Sequence, residues 1–136
     1  MKNSLIITVF ILFLAMPAMA EEAHVIKVID GDSMRIELRG IQVDLRLLGV
    51  DAPEYNQPGG AEATAFVKAW VEQGGTIDLE YDHNRYGKYG RLLAWVWRGG
   101  HLLQEDMVRA GHAQVKRITE KDKHYQRLMA AKDDSR

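Results

Sequence analysis

The chain has 136 residues, no cysteine, 18 Lys and Arg against 19 Asp and Glu, and a formal net charge of −1 at pH 7. Lacking cysteine, it cannot be a disulfide-stapled scaffold or a lipid-modified lipoprotein, so compactness must come from a packed core. The length allows one domain with one core and excludes two, and a net charge this close to zero points to no partner by itself.

The first twenty residues read as a targeting segment. Lys2 supplies a basic start, Leu5 to Met16 are almost wholly apolar, and Ala18-Met19-Ala20 is the small-x-small pattern that a signal peptidase accepts. The apolar run is shorter than the ~20 residues of a membrane-spanning helix. Cleavage before Glu21 is therefore expected, with residues 21–136 exported to the periplasm or the medium as a soluble domain free of the membrane, a monomer by default.

Val25 to Ile29 is a short apolar-rich run, predicted as a strand that ends at Asp30-Gly31-Asp32. Ser33 to Arg39 then alternates, with Met34, Ile36 and Leu38 opposed to Arg35, Glu37 and Arg39, which predicts a half-buried strand. Gly40 permits a reversal into Ile41 to Leu48, where Ile41, Val43, Leu45 and Leu47 share one face and Gln42, Asp44 and Arg46 the other. Three strands thus form a meander.

Asp51-Ala52-Pro53-Glu54 and Pro58-Gly59-Gly60 predict a loop, because proline lacks an amide hydrogen and glycine loosens the backbone. From Ala61 to Gln73 the period becomes helical, with Ala65, Phe66, Ala69 and Trp70 on one face and Gly74-Gly75 as the stop. Thr76 to Tyr81 and Leu92 to Trp97 predict two more strands, with one of the Trp95/Trp97 pair facing outward. Leu102 to Ala110 is predicted as a second helix closed by Gly111, and Thr119 to about Lys132 as a third. The order predicts an α+β fold, a five-stranded OB-type barrel with about three helices.

Charge is unevenly distributed. Glu21 to Asp82 hold 5 Lys/Arg against 13 Asp/Glu, whereas His83 to Arg136 hold 12 against 6. A carboxylate metal site in the first half and a phosphate-facing surface in the second would give this pattern, as would a solvated, self-complementary surface.

Polar clusters interrupt the strand pattern at Asp30-Gly31-Asp32-Ser33, at Arg46 through Glu54, and at Lys88-Tyr89-Gly90-Arg91. Each alone reads as a turn or a strand entry. Together they supply both signs of charge that phosphodiester hydrolysis requires. Carboxylates hold a hard cation, and arginine's planar fork grips phosphate oxygens as negative charge grows on them. The five histidines lack metal-ligand spacing, so no zinc site is expected.

The strings Val28-Ile29-Asp30-Gly31-Asp32-Ser33, Leu45 through Glu54, and Tyr89-Gly90-Arg91-Leu92-Leu93-Ala94 closely resemble the staphylococcal nuclease (thermonuclease) family, in its order and spacing. A later segment, Leu102 through Gly111, extends the resemblance across most of the chain after the leader. It implies that Asp32, Asp51 and the backbone carbonyl of Ala52 ligate Ca²⁺, with Asp30 as an outer-shell carboxylate. It further implies that Glu54 orients or deprotonates the attacking water, that Arg46 and Arg91 bind the scissile phosphate, and that Lys88 and Tyr89 contact a terminal phosphate. The implied reaction is cleavage of DNA and RNA, single strands preferred, at the P–O5′ bond to leave 3′-phosphates. The alternative is a non-catalytic OB-fold module that binds nucleic acid. Two departures stand out: after Gly111 the family's base-stacking aromatics are replaced by His112 through Thr119, where Lys116 and Arg117 are positioned to track phosphate instead, and the last helix is short.

Overall fold

A computed structural model describes residues 20–72 and 75–135. The expected leader, up to Met19, and Gln73 and Gly74 at the expected helix stop lie outside the described residues. Among the described residues no helix is long and apolar enough to cross a membrane.

Strands β1 (Glu21–Asp30), β2 (Ser33–Leu38) and β3 (Ile41–Leu47) form the expected antiparallel meander, with Val28 opposite Met34 and Met34 opposite Leu45. β1 starts four residues before the apolar run, because Glu21 to His24 pair with a later strand, Ala23 facing Ile77. It is also bulged between Val25 and Lys27 and between Val28 and Asp30. Bulges break the alternation of faces, which is why Ile26 and Ile29 stand exposed in a stretch that reads as apolar. Ile41 is likewise 65 % exposed, beside the Gly40 turn where it pairs with Leu38, rather than buried with Leu45 and Leu47.

A two-residue strand, β4 (Val50–Asp51), precedes the loop into helix α1 (Gly60–Glu72). The helix is where the sequence places it, but its face is not. Ala63, Val67, Trp70 and Val71 are buried, whereas Ala65 and Ala69 are exposed and Phe66 only half-buried. The reason is steric: Ala63 lies where the Asp30–Ser33 turn approaches the helix so closely that only a small side chain fits.

Strands β5 (Thr76–Glu80) and β6 (Leu92–Arg98) are antiparallel, and β6 also pairs in parallel with β3, Leu45 facing Leu92 and Leu47 facing Ala94. That pairing closes a five-strand mixed barrel, which with three helices is the OB-type α+β fold expected from the sequence. Both Trp95 and Trp97 are buried, contrary to expectation. Residues two apart on a strand share a face, and this face is covered rather than wet. Each indole N–H finds a carboxylate, Trp95 donating to Asp82 Oδ2 at 2.9 Å and Trp97 to Glu80 Oε1 at 3.0 Å, and the His124 ring meets both indoles edge-on.

A short strand, β7 (His101–Leu102), leads into helix α2 (Leu103–Arg109); strand β8 (Gln114–Val115) pairs with β4, and helix α3 (Tyr125–Asp134) ends the fold. α3 begins at Tyr125, not Thr119. Thr119 to Asp122 form a turn in which the Thr119 amide donates to Asp122 Oδ2 at 2.6 Å, and His124 takes a left-handed backbone, φ 63°, that interrupts any helix there. The shortened helix is held by Leu128 and Ala131, both fully buried, and by Arg127, which pairs with Glu105 of α2 and lies over the Trp97 ring. Leu128→Ala is expected to cost about 2–5 kcal/mol, as buried leucine truncations do. A urea titration checks this, and a destabilisation below about 1 kcal/mol would show that α3 is not part of the cooperative core.

Candidate active site

The turn between β1 and β2 is built by Asp30. Its Oδ1 accepts the Asp32 amide at 3.2 Å and the Ser33 hydroxyl at 2.7 Å, the usual way an aspartate shapes a turn. Gly31 is required by crowding. A Cβ there would meet Ala52 Cβ at 2.7 Å and Ala63 Cβ at 2.9 Å, so the missing side chain lets the Asp51 loop and α1 close on the turn. The turn thereby aims Asp32 inward, where Oδ2 accepts the Ala52 amide at 2.8 Å.

Arg46 lies on β3 opposite Ser33, on the side away from Leu45 and Leu47, yet it is only 8 % exposed. Its guanidinium is held on four sides. Nη1 donates to the carbonyls of Leu47 at 2.6 Å and Val50 at 2.8 Å, while Nη2 sits 3.3 Å from Asp32 Oδ2 and 3.2 Å from Asp51 Oδ1. A buried charge is tolerable only when paired and hydrogen-bonded. Arg46 meets that condition, and in doing so brings two carboxylates from different loops to one point.

Burial pushes the Asp32 carboxyl up to about 6, against the opposing pull of the Ala52 amide and Arg46, and the negative charge of Asp30 adds to the rise. The dominant cause is loss of water around the charged form rather than the balance of neighbouring charges. The donors that converge here for a cation are hard oxygens, those of the Asp32 and Asp51 carboxylates. This set suits Ca²⁺ or Mg²⁺ and not a soft metal.

Beyond Arg46 opens a cleft of about 530 Å³ lined by Lys88, Tyr89, Arg91, Lys116 and Arg117. The β5–β6 loop supplies the first three and the segment after β8 the others. Lys116 Nζ stands 3.4 Å from Asp51 Oδ2, so Asp51 carries Arg46 on one oxygen and Lys116 on the other. Tyr89 is 78 % exposed, with Lys88 Nζ 5.8 Å from its ring centre.

The structure thus gathers Asp30, Asp32, Arg46, Asp51 and Ala52 in one cluster, and Lys88, Tyr89 and Arg91 along the same cleft as Arg46. Glu54 is different. It lies in the loop after Asp51 with an exposed side chain that makes no hydrogen bond among the described residues and is not part of the cleft wall. What is fixed is its backbone. The Glu54 carbonyl accepts the Gln57 amide at 2.9 Å and would lie 1.7 Å from a Cβ on Gly60, so the loop can turn into α1 only over a glycine. One grouping is not foreshadowed in the sequence, because it joins residues far apart in the chain. At the cleft's other rim His83 Nε2 lies 3.3 Å from Asp82 and 3.7 Å from Asp122, clasping the β5–β6 loop to the turn before α3.

Residues 44–136 match the family model described as staphylococcal nuclease homologue. The chain belongs to that family. This staphylococcal nuclease homologue is 37 % identical over 113 residues to the thermonuclease of Staphylococcus hyicus, covering 79 % of this chain and 66 % of that protein. It is 36 % identical over 110 residues to the thermonuclease of Staphylococcus intermedius, covering 76 % and 65 %. To endonuclease YncB of Bacillus subtilis (strain 168) it is 36 % identical over 106 residues, covering 73 % of this chain and 50 % of that protein. The matched regions therefore span less than two thirds of these relatives' own lengths.

Gly31→Ala in this homologue is expected to cost about 1–3 kcal/mol by overpacking against Ala52 and Ala63. Thermal or denaturant unfolding measures it, and a neutral substitution would show that the loop and α1 are not pressed against the turn.

Proposed function

We propose that this protein is an exported, Ca²⁺-dependent nuclease that hydrolyses phosphodiester bonds of DNA and RNA, cutting at P–O5′ to leave 3′-phosphates. The observation that carries this reading is the buried Arg46, which joins Asp32 to Asp51 and lines a cleft that Arg91 also lines. Nucleic-acid binding alone requires neither two converging carboxylates, one of them buried, nor a guanidinium locked against them. The names of the family and of its relatives, thermonuclease and endonuclease, agree with the reading.

Asp32 and Asp51 would hold the ion through their carboxylates, the Ala52 carbonyl adding a donor, and the bound ion would polarise a phosphate oxygen and acidify water. Arg46, fixed by the Leu47 and Val50 carbonyls, presents its charge without reorganising when negative charge builds on the phosphate. Arg91, which lines the same cleft as Arg46, donates to the remaining phosphate oxygens and steadies the departing 5′-oxygen. Glu54, exposed on the loop next to Asp51, orients the attacking water and takes its proton. Lys88 and Tyr89 bear on the neighbouring terminal phosphate. The leader pattern at residues 1–20 supports export, which amino-terminal sequencing of the processed protein tests.

Excess chelator is expected to abolish cleavage of single-stranded DNA and added Ca²⁺ to restore it; undiminished cleavage in chelator contradicts the metal's role. Arg91→Ala is expected to lower turnover by about 10²-fold or more with unchanged unfolding, as removal of a donor to transition-state charge does. Arg46→Ala is expected to lose turnover similarly and, by leaving the buried Asp32 carboxylate without its cation, about 3–5 kcal/mol of stability. A drop of less than tenfold for both would overturn the phosphate clamp. Binding of single strands with no cleavage in Ca²⁺ would identify the protein as a binding module instead.

A further inference from the structure

The arginines of the described residues are nearly all engaged within the protein. Arg35 pairs with Asp44, Arg39 and Arg85 with Glu21, Arg109 and Arg127 with Glu105, Arg46 with the acidic pair, and Arg98 with the Trp70 carbonyl. Two are not. Among the described residues, Arg91 and Arg117 have neither an acidic group within salt-bridge distance nor a side-chain hydrogen bond, and both line the same cleft. Arg91 already has a part in the proposed chemistry. Arg117 has none.

Arg117 is unusual in a second respect. It holds a left-handed backbone, φ 58°, which costs a non-glycine residue roughly 1–2 kcal/mol and which a glycine would adopt freely. The preceding residue is pinned, its amide donating to the Gly49 carbonyl at 2.9 Å, so the chain leaves β8 in a fixed direction. Lys116 is turned onto Asp51, and Arg117 is presented to the cleft beside it. An exposed, unpaired guanidinium on strained backbone does nothing for the fold. It is suited to an anion that arrives from outside.

We propose that Arg117, seconded by Lys116, forms a further phosphate subsite, so that the cleft takes a strand of several consecutive phosphates rather than one nucleotide. This rests on the nuclease reading and specifies its substrate as an extended polyanion. Backbone charge then replaces aromatic stacking as the source of affinity, and the stretch from His112 to Thr119, which carries no Phe, Tyr or Trp, is built accordingly. Such a site prefers length over base identity, and its affinity falls steeply with salt.

The test is fluorescence anisotropy of labelled octathymidylate and of dithymidylate in excess EDTA, over a series of salt concentrations. The full chain is compared with Arg117→Gly, Lys116→Ala, and Lys68→Ala as an α1 surface control. Arg117→Gly suits the left-handed backbone, so a folding defect is not expected, and thermal unfolding verifies this. Octathymidylate affinity is expected to fall several-fold in Arg117→Gly and Lys116→Ala but not in Lys68→Ala. The slope of log affinity against log salt is expected to become shallower by about 0.7 for each phosphate of the single strand that is no longer neutralised. The advantage of the octamer over the dimer should shrink in parallel, and Arg117→Lys should retain part of it. If the unmodified chain binds octathymidylate and cuts DNA with Ca²⁺ while both cleft variants keep its slope and length preference, the subsite is wrong and the nuclease reading stands. If the unmodified chain neither binds nor cuts, both fail.

Discussion

Arg46 is the interaction on which the rest of the site depends. A guanidinium cannot be left buried and unpaired, and this one is satisfied only if the Leu48-Gly49 turn keeps two carbonyls on it while Asp32 and Asp51 stay within reach. The same contacts therefore fix the direction in which β3 hands over to β4, and so where Asp51 points. Removing Arg46 would release a turn and separate two carboxylates at once. On the proposed reading, structure and chemistry share one side chain.

The barrel exists to hold the two ends of that arrangement together. Asp32 comes from the β1–β2 turn and Asp51 from β4, and the β2–β3 ladder carries Ser33 opposite Arg46, so strand register sets the distance between acid and base. Closure of β6 onto β3 then places the β5–β6 loop, with Lys88, Tyr89 and Arg91, across from them. The charge imbalance along the chain acquires a location in this way. The acidic pair comes from the first half, and the cleft's cations other than Arg46 come from the second.

Much of this is legible in the sequence, and what is not has identifiable physical causes. The meander can be read because Ser33 to Arg39 and Ile41 to Leu48 alternate, and the polar clusters can be read because they break that alternation. The α1 face escapes a periodicity argument because Ala63 is buried for its smallness, set by the approach of Gly31. Trp95 and Trp97 escape it because the face they share is roofed by His124 and α3, a tertiary fact. Residues Glu21 to Ala23 carry no strand pattern and become strand through β5. The start of α3 lies later than the sequence suggests because the Thr119 to Asp122 turn uses the same residues that would cap a helix. The clasp of His83 by Asp82 and Asp122 has no sequence signature, since its parts lie on separate loops.

The central claim is that one cation and one phosphate meet between the Arg46-linked carboxylates and the cleft arginines. A crystal structure of the chain with Ca²⁺ and a thiophosphate-linked dinucleotide tests it most directly. The account predicts the ion at about 2.3–2.6 Å from carboxylate oxygens of Asp32 and Asp51, sharing an oxygen of a phosphate that Arg91 also contacts. An ion seated instead between Asp82, His83 and Asp122, or a phosphate held away from both Arg46 and Arg91, would contradict it.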